Sequence, residues 1–489
     1  MSEGLLNLAD VITGLGGVRP IGLNQPIAGA AIDSRECEPG TLFVALRGET
    51  TDGHLYVGQA FSRGAIAAIV DRDVEAEAAV LDLTGEDWHL PETWSLPLVI
   101  KTSNSLEALQ RLASWWRLRH DVRVVGVTGS LGKTTTKELA ASVLGRRYNT
   151  LKSEGNYNNE IGLPLTLLHL NGEHECVVLE MGMYDVGEVS DLARIARPQV
   201  GVVTMIGPIH IERAGSIDLI VQAKRELVEA LPPAPEGVAI LNYDDERVRG
   251  MAEATDARVL FYGLSPEAHL WADEIEGLGL QGIRFQLHYH PVSLTDLAEK
   301  MPETLHVRIP LLGRHSVQTA LRAAAVGLVE GLTWQEIIEG LRMPSSQLRL
   351  VAVPGPRGST VLDDTYNASP TSTIAALNLL DELDGRKIAV LGDMLELGHY
   401  EEDAHDKVGL RALEVADVII TVGQRARIIS DTAARWGSPD LEVYAVDCNT
   451  EAVELLEQMV RSDDVILVKG SRGMQMEEIV NALGTLERY

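Results

Sequence analysis

A β-branched run at 122–127 leads directly into Gly126-Val127-Thr128-Gly129-Ser130-Leu131-Gly132-Lys133-Thr134-Thr135-Thr136, and a helical segment over 137–144 follows. Strand, glycine-rich loop and helix in that order predict a buried parallel strand whose carboxyl end opens into a phosphate-binding turn. Successive backbone N–H groups in such a turn surround phosphate oxygens, and the helix N-terminus adds positive potential. Gly129 and Gly132 let the backbone approach without a Cβ in the way. Lys133 would reach the β- and γ-phosphates, and the Thr134 hydroxyl would ligate Mg²⁺. The first glycine of the usual G-x-x-x-x-G-K-[ST] spacing is absent, because Val127 stands there. The plain alternative is a glycine-rich turn with a chance lysine. GTPases, kinases and motors share such loops, but no Asn/Thr-Lys-x-Asp guanine reader follows.

The rest of the chain reads as three blocks, 1–105, 106–344 and 345–489, which suits its 489 residues. The first has strand-like runs at 41–46, 65–70 and 98–101, and an acidic stretch at 71–92 that reads as a loop. The second opens with a helix over 105–119, with Leu106, Leu109, Leu112 and Trp116 on one face. Strands are expected at 122–127, 176–179 and 200–205, each followed by a glycine-bearing turn and a helix. That is the rhythm of a parallel sheet. The third block alternates strands (360–362, 387–391, 418–422, 442–446, 465–468) with helices (371–383, 402–415, 426–436, 451–460, 476–483). The expected fold is α/β throughout. A small domain is followed by a P-loop ATPase-like parallel sheet and then a Rossmann-like, doubly wound sheet.

Charge and cysteine usage narrow the partners. A net charge of −29 repels nucleic-acid backbones and anionic lipid, so neither is expected as a partner. No run of 18 apolar residues or secretory signal is visible. Cys37, Cys176 and Cys448 form no CxxC pair, which points to a reducing cytoplasm. Lysine is scarce, at 9 residues against 33 Arg, yet Lys133, Lys137, Lys224 and Lys469 fall in the segments singled out here.

Cys176-Val177-Val178-Leu179-Glu180 places a carboxylate at a strand end, on the sheet edge that carries the phosphate loop. Glu180 can be a Mg²⁺ ligand or a solvated acid. His210, in Gly207-Pro208-Ile209-His210-Ile211-Glu212, can be a ligand or a structural loop histidine. Lys224, in Ala223-Lys224-Arg225-Glu226, can be functional or an ordinary helix lysine.

Together with Asn156-Tyr157-Asn158-Asn159-Glu160-Ile161-Gly162, these segments resemble the central domain of the Mur ligase family, which joins amino acids to UDP-N-acetylmuramic acid. The resemblance implies that Glu180, His210 and Thr134 bind Mg²⁺. It also implies that Lys224 is carbamylated by CO₂ into an anionic metal ligand. It gives ATP contacts to Thr128, Gly129, Ser130, Gly132, Lys133, Thr134, Thr135 and Asn159. Catalytic work falls to Lys133, Lys224, His210 and Arg349, with Arg349 reaching the γ-phosphate and Asp364 the ribose.

The flanking blocks refine the substrates. Asp33-Ser34-Arg35, Pro39–Gly48 and Asp52-Gly53-His54 are similar to a UDP-binding domain, with Ser34 and Arg35 as UDP contacts. Asp363–Pro370, Leu391–Gly398 and Val468–Glu477 are similar to family members that add D-alanyl-D-alanine to UDP-N-acetylmuramoyl-tripeptide. An Asp-Asn-Pro-Arg motif for a third amino acid is missing. Asn156, Asn367 and Asp393 are the implied substrate contacts. Ser316 and Thr319 replace two asparagines that hold adenine in the family, and Ser369 replaces another Asn; Thr319 can still bond a base nitrogen. A cytoplasmic monomer is expected. The competing readings are a third-amino-acid-adding, polyglutamate or cyanophycin ligase, and a regulatory P-loop hydrolase.

Overall fold

The computed structural model describes residues 4–485 apart from 49–50, 86–87, 208–211, 213–214, 291–303 and 343–349. Three sheets form in chain order. The first holds β1 (Gly29–Ala31), β2 (Thr41–Val44), β3 (Ala67–Val70), β4 (Ala79–Asp82) and β5 (Leu98–Lys101), in spatial order β1-β2-β3-β5-β4 and all parallel. β2 and β3 are buried along their whole length, as strands covered on both faces must be. The acidic stretch is not only loop. β4 lies within it, held by backbone pairing to β5, with Leu81 as its one buried side chain. A strand with a single core residue leaves almost no apolar pattern to read.

The second sheet has nine strands, in order β14-β13-β12-β11-β10-β9-β6-β8-β7. They are β6 (Arg123–Thr128), β7 (Thr150–Lys152), β8 (Cys176–Glu180), β9 (Val200–Val203), β10 (Val238–Asn242), β11 (Arg258–Gly263), β12 (Leu270–Gly277), β13 (Ile283–Tyr289) and β14 (Thr304–Ile309). The expected all-parallel sheet needs correction, because β12–β13 and β13–β14 pair antiparallel. Their half-buried alternation is that of a sheet edge with one wet face.

The third sheet runs β15-β16-β20-β17-β18-β19. Its strands are β15 (Val351–Pro354), β16 (Thr360–Asp364), β17 (Arg386–Gly392), β18 (Val418–Val422), β19 (Glu442–Val446) and β20 (Asp464–Lys469). It is parallel except for β15, an edge strand the sequence reading passed over. Separate apolar clusters cover its two faces: one gathers Leu377, Val408 and Ile429, the other Leu456, Ile479 and Leu483. This is a doubly wound sheet.

The helix Ser105–Arg117 ties the first two sheets together. Leu109 and Leu112 share one core with Leu42 and Ile69 on one side and Leu163 and Leu192 on the other. The helix after the phosphate loop begins at Lys133, not 137. A Thr-Thr-Thr run is a poor helix former, so its local signal is weak. Tertiary bonds hold it instead: Thr136 Oγ1 donates to Gly132 O at 2.6 Å and accepts from Arg322 Nε at 2.8 Å. Among the described residues, no helix is long and apolar enough to cross a membrane.

Candidate active site

Because β6 is flanked by β8 and β9 in parallel, all three carboxyl ends open on one edge. Val127 pairs in register with Glu180, and Thr128 with Val203. Gly129 has φ 138° and Gly132 φ 77°, backbone angles that a side chain would strain. A Cβ on Gly129 would also collide with the Thr204 hydroxyl, which itself donates to Leu131 O at 2.6 Å. Thr128 donates to Met181 O at 2.8 Å, so it anchors the loop from below. Ser130 Oγ donates to Gly207 O at 3.1 Å, tying the loop to the turn after β9. Lys133 Nζ lies back over the loop, 2.9 Å from Gly129 O.

Thr134 Oγ1 donates to Glu180 Oε2 at 2.7 Å. Asn158 Nδ2 donates to the other carboxylate oxygen at 2.9 Å, and Ser153 Oγ accepts from the Glu180 N–H at 3.2 Å. Glu180 is 1% exposed, so this carboxylate is held in one place. Among the described residues, no three His, Cys, Asp or Glu side chains converge as a self-sufficient metal group. A hydroxyl and a fixed carboxylate are hard oxygen donors, and they suit a Mg²⁺ that takes its remaining ligands from phosphate and water.

Lys224, on the helix Ile217–Glu229, is 3% exposed. Burial first, and then the nearby Lys133 ammonium, push its pKa well below the ordinary lysine value, while Glu180, Glu188 and Glu226 pull the other way. Glu226 spends its carboxylate on the Gly187 and Ser190 N–H groups, at 2.6 and 2.9 Å. The lysine therefore lies within electrostatic reach of both the phosphate-loop lysine and the candidate metal carboxylate. His210 and Arg349 lie outside the described residues.

A cavity of about 950 Å³ joins this edge to the carboxyl edge of the third sheet. Ser130, Gly132, Lys133, Thr135, Asn156 and Glu180 line it from one side, and Asp364, Asn367 and Lys469 from the other. Lys469 is 2% exposed; its Nζ donates to Asp364 Oδ2 at 2.6 Å and to Asn367 O at 2.9 Å. The His315 ring faces the same cleft. Partial loss of hydration among the surrounding groups, with Lys469 and Arg322 nearby, lowers its pKa to about 4 although the residue keeps solvent contact, so it carries no charge at neutral pH.

Four further predicted contacts, two of them expected to meet the UDP group, are not part of this cavity wall. Asn159 Oδ1 accepts from Gly162 N at 2.9 Å and thereby supports the start of the helix Gly162–Leu167. Asp393 Oδ1 accepts from Ala426 N at 2.7 Å, just ahead of the helix Arg427–Trp436. Both positions serve backbone N–H groups that a loop would otherwise leave unpaired. Ser34 is buried and donates to Gln59 Oε1 at 2.8 Å, while Arg35 pairs with Asp33 at 2.6 Å. These two belong to the turn after β1, away from the cavity wall.

Sequence reasoning missed Arg322 and the role of Asn158. Arg322 is 5% exposed, with Nη2 on Thr319 Oγ1 at 2.7 Å and Nε on Thr136. It is the one charged side chain in the helix Ser316–Val329, a signal that was there to be read. Arg322→Met is expected to lower stability by about 2–3 kcal/mol, because two hydroxyls lose a charged donor. A urea titration measures it; an unchanged midpoint would mean that the clamp is dispensable.

Two substrates must meet beside an activated phosphate if a carboxylate and an amine are to be joined, and a phosphate-loop sheet facing a second sheet across one cleft provides for that. This is the architecture of an ATP-dependent amide ligase. Family models match three stretches: the Mur ligase family catalytic domain over 26–116, the Mur ligase middle domain over 127–327, and the Mur ligase glutamate ligase domain over 348–472. The UDP-N-acetylmuramoyl-tripeptide–D-alanyl-D-alanine ligase of Bacillus subtilis is 35% identical over 461 residues, covering 94% of this chain and 93% of that protein. The Escherichia coli ligase of the same name is 33% identical over 470 residues, 94% and 96% of the two chains. A crystal structure of MurF from Acinetobacter baumannii superposes with a TM-score of 0.81 at 30% identity over 99% of each chain. MurF ligase of Thermotoga maritima in complex with ADP gives 0.76 at 25% identity, covering 94% of this chain and 98% of that one. The chain belongs to the Mur ligase family.

Proposed function

We propose that this protein joins D-alanyl-D-alanine to the terminal carboxylate of UDP-N-acetylmuramoyl-tripeptide, using ATP and releasing ADP and phosphate, in peptidoglycan precursor synthesis. The observation that carries this reading is the single cavity that unites Lys133 and Glu180 with Asp364 and Asn367. The substrates are those named for relatives that match nearly the whole chain.

A carboxylate oxygen of the tripeptide attacks the γ-phosphorus, and the bond to ADP breaks, leaving an acyl phosphate. The dipeptide amine then attacks the acyl carbon. The bond to phosphate breaks, phosphate leaves with the bonding pair, and the proton on nitrogen passes to solvent water. Lys133 and the loop N–H groups hold the γ-phosphate where its charge shifts. Thr134, Glu180 and His210 would hold Mg²⁺, which when bound neutralises the phosphate oxygens. Arg349 is assigned the addition of positive charge at the γ-phosphate. Lys224 acts as a carbamate: its uncharged amine adds to CO₂, a C–N bond forms as one C=O π bond opens, and the proton leaves nitrogen. Burial of Lys224 supports this step, because only the uncharged amine is nucleophilic.

Adenine is held on the helix Ser316–Val329. Ser316 Oγ gives its proton to Leu312 O at 2.6 Å, so it faces a base as an acceptor. Thr319 Oγ1 accepts from Arg322, so its proton is free to be given. An acceptor and a donor match the amino group and a ring nitrogen of adenine, whereas the keto oxygen of guanine would face the acceptor. ATP is therefore expected to outperform GTP by more than about tenfold in kcat/KM, the scale of one mispaired polar group. Equal use of the two nucleotides would refute this pairing.

The blocks 1–105, 106–344 and 345–489 serve the UDP substrate, ATP and the incoming amine respectively. The enzyme works in the cytoplasm as a monomer. Phosphate release with UDP-N-acetylmuramoyl-tripeptide, ATP, Mg²⁺ and D-alanyl-D-alanine, omitting each in turn, tests the whole reading. All four should be required. Turnover without the UDP-peptide would indicate a regulatory hydrolase, and turnover with glutamate as the amine a polyglutamate-type ligase.

A further inference from the structure

The dipeptide brings a charge that the chemistry above does not use. Its amine reacts, while its C-terminal carboxylate must be left intact and kept away from the γ-phosphate. A carboxylate entering a cleft loses water and needs a cation in return. Among the described residues, four side chains on the cavity wall carry a full positive charge: Lys133, Arg322, Lys469 and Arg472. Three of them are committed. Lys133 lies over the phosphate loop. Arg322 is buried and fastened to Thr136 and Thr319. Lys469 is buried and paired with Asp364.

Arg472 differs in each respect. It is exposed to the cleft, and none of the ion pairs among the described residues involves it. Its guanidinium carbon sits 5.2 Å from the centre of the Tyr366 ring. An aromatic face steadies a guanidinium without occupying its N–H groups, so the planar fork stays available for a bidentate partner. The main chain beneath it is fixed. Ser471 N donates to Asp393 O at 3.0 Å, Ser471 Oγ accepts from Leu395 N at 2.8 Å, and Met474 N closes the turn on Ser471 O at 2.8 Å. The exposed cation therefore stands on a rigid turn following β20, at the carboxyl edge of the third sheet. That edge faces the phosphate loop and has no glycine-rich phosphate loop of its own.

We infer that Arg472, stacked on Tyr366, binds the C-terminal carboxylate of the incoming dipeptide and orients its amine toward the acyl phosphate. The assignment rests on the ligase reading above. It makes a free α-carboxylate a requirement of the amine substrate.

The test compares D-alanyl-D-alanine with D-alanyl-D-alaninamide, in which a neutral amide replaces the carboxylate. Phosphate release is measured with the full-length enzyme and with Arg472→Ala and Arg472→Lys. The unaltered enzyme should prefer the acid by about tenfold to a hundredfold in kcat/KM, the range for a hydrogen bond to a charged group. Arg472→Ala should lose most of that preference through a raised KM for the dipeptide, with the KM for ATP unchanged. Arg472→Lys should regain part of it, which a purely structural arginine would not do. An acid-over-amide preference that survives intact in Arg472→Ala overturns the inference. So does a shift confined to the KM of ATP or of the UDP-peptide, which would give the guanidinium to a phosphate or to the peptide donor. If the unaltered enzyme fails to turn over the dipeptide at all, the ligase reading itself falls, and that result is distinct from a retained preference.

Discussion

Lys133→Ala is expected to reduce kcat at least about 10²-fold, the typical loss when one preorganised donor to a developing charge is removed. The loop itself should persist. Its shape is held by Thr128 on Met181 O, Ser130 on Gly207 O and Thr204 on Leu131 O, none of which involves the lysine. One side effect has to be separated. The Lys133 ammonium helps to keep the Lys224 pKa low, so its loss would leave Lys224 more protonated and less able to take up CO₂. Added bicarbonate should make good that second deficit but not the first. Rates of ADP release with and without bicarbonate decide it, and near-normal turnover by Lys133→Ala would remove the phosphate-loop assignment.

The second large effect concerns Lys224. Exhaustive removal of CO₂ should depress activity, bicarbonate should restore it, and intact-protein mass should show one carbamate that maps to Lys224. Lys224→Ala should lose at least about 10²-fold in kcat, on the scale of other groups that fix charge beside a reacting phosphate. The physical ground is the cost of the alternative. A 3%-exposed ammonium beside a second ammonium is poorly solvated, and with its pKa depressed it weakens the fold at neutral pH. The sign follows from proton counting. The unfolded chain binds a proton that the folded chain does not, so stability rises with pH across the window below the ordinary lysine value. Converting the amine to a carbamate would remove that conflict and would add an anionic oxygen donor beside Glu180 for Mg²⁺. Full activity without CO₂, with no added mass on Lys224, would overturn the assignment.

Much of the fold was readable because its signals are local. The strands Val418–Val422, Glu442–Val446 and Leu98–Lys101 carry their β-branched or apolar residues in one uninterrupted run, and their limits match expectation residue for residue. The phosphate loop was readable for the same reason: two glycines with positive φ, a lysine and a threonine all act within a few residues of one another. β4 and β15 were not, because edge strands owe their existence to a neighbour's backbone rather than to their own side chains, and the antiparallel pairing of β12–β14 was not, because direction is set by the partner strand.

The site divides along the same line. Sequence by itself determined which groups are capable of the chemistry: a glycine-rich turn suited to phosphate, a carboxylate at a strand end, a lysine in a following helix. Tertiary structure alone decided which hydrogen-bond partners the polar groups around them take. It drew Asn158 onto Glu180 and Arg322 onto Thr136, across separations of 22 and 186 residues. It also committed Asn159 and Asp393 to backbone N–H groups at helix starts. A side-chain oxygen beside an unpaired backbone N–H accepts from it, because a backbone donor left without a partner is costly. Which group lies nearest depends on how the sheets come together, and no stretch of sequence records that.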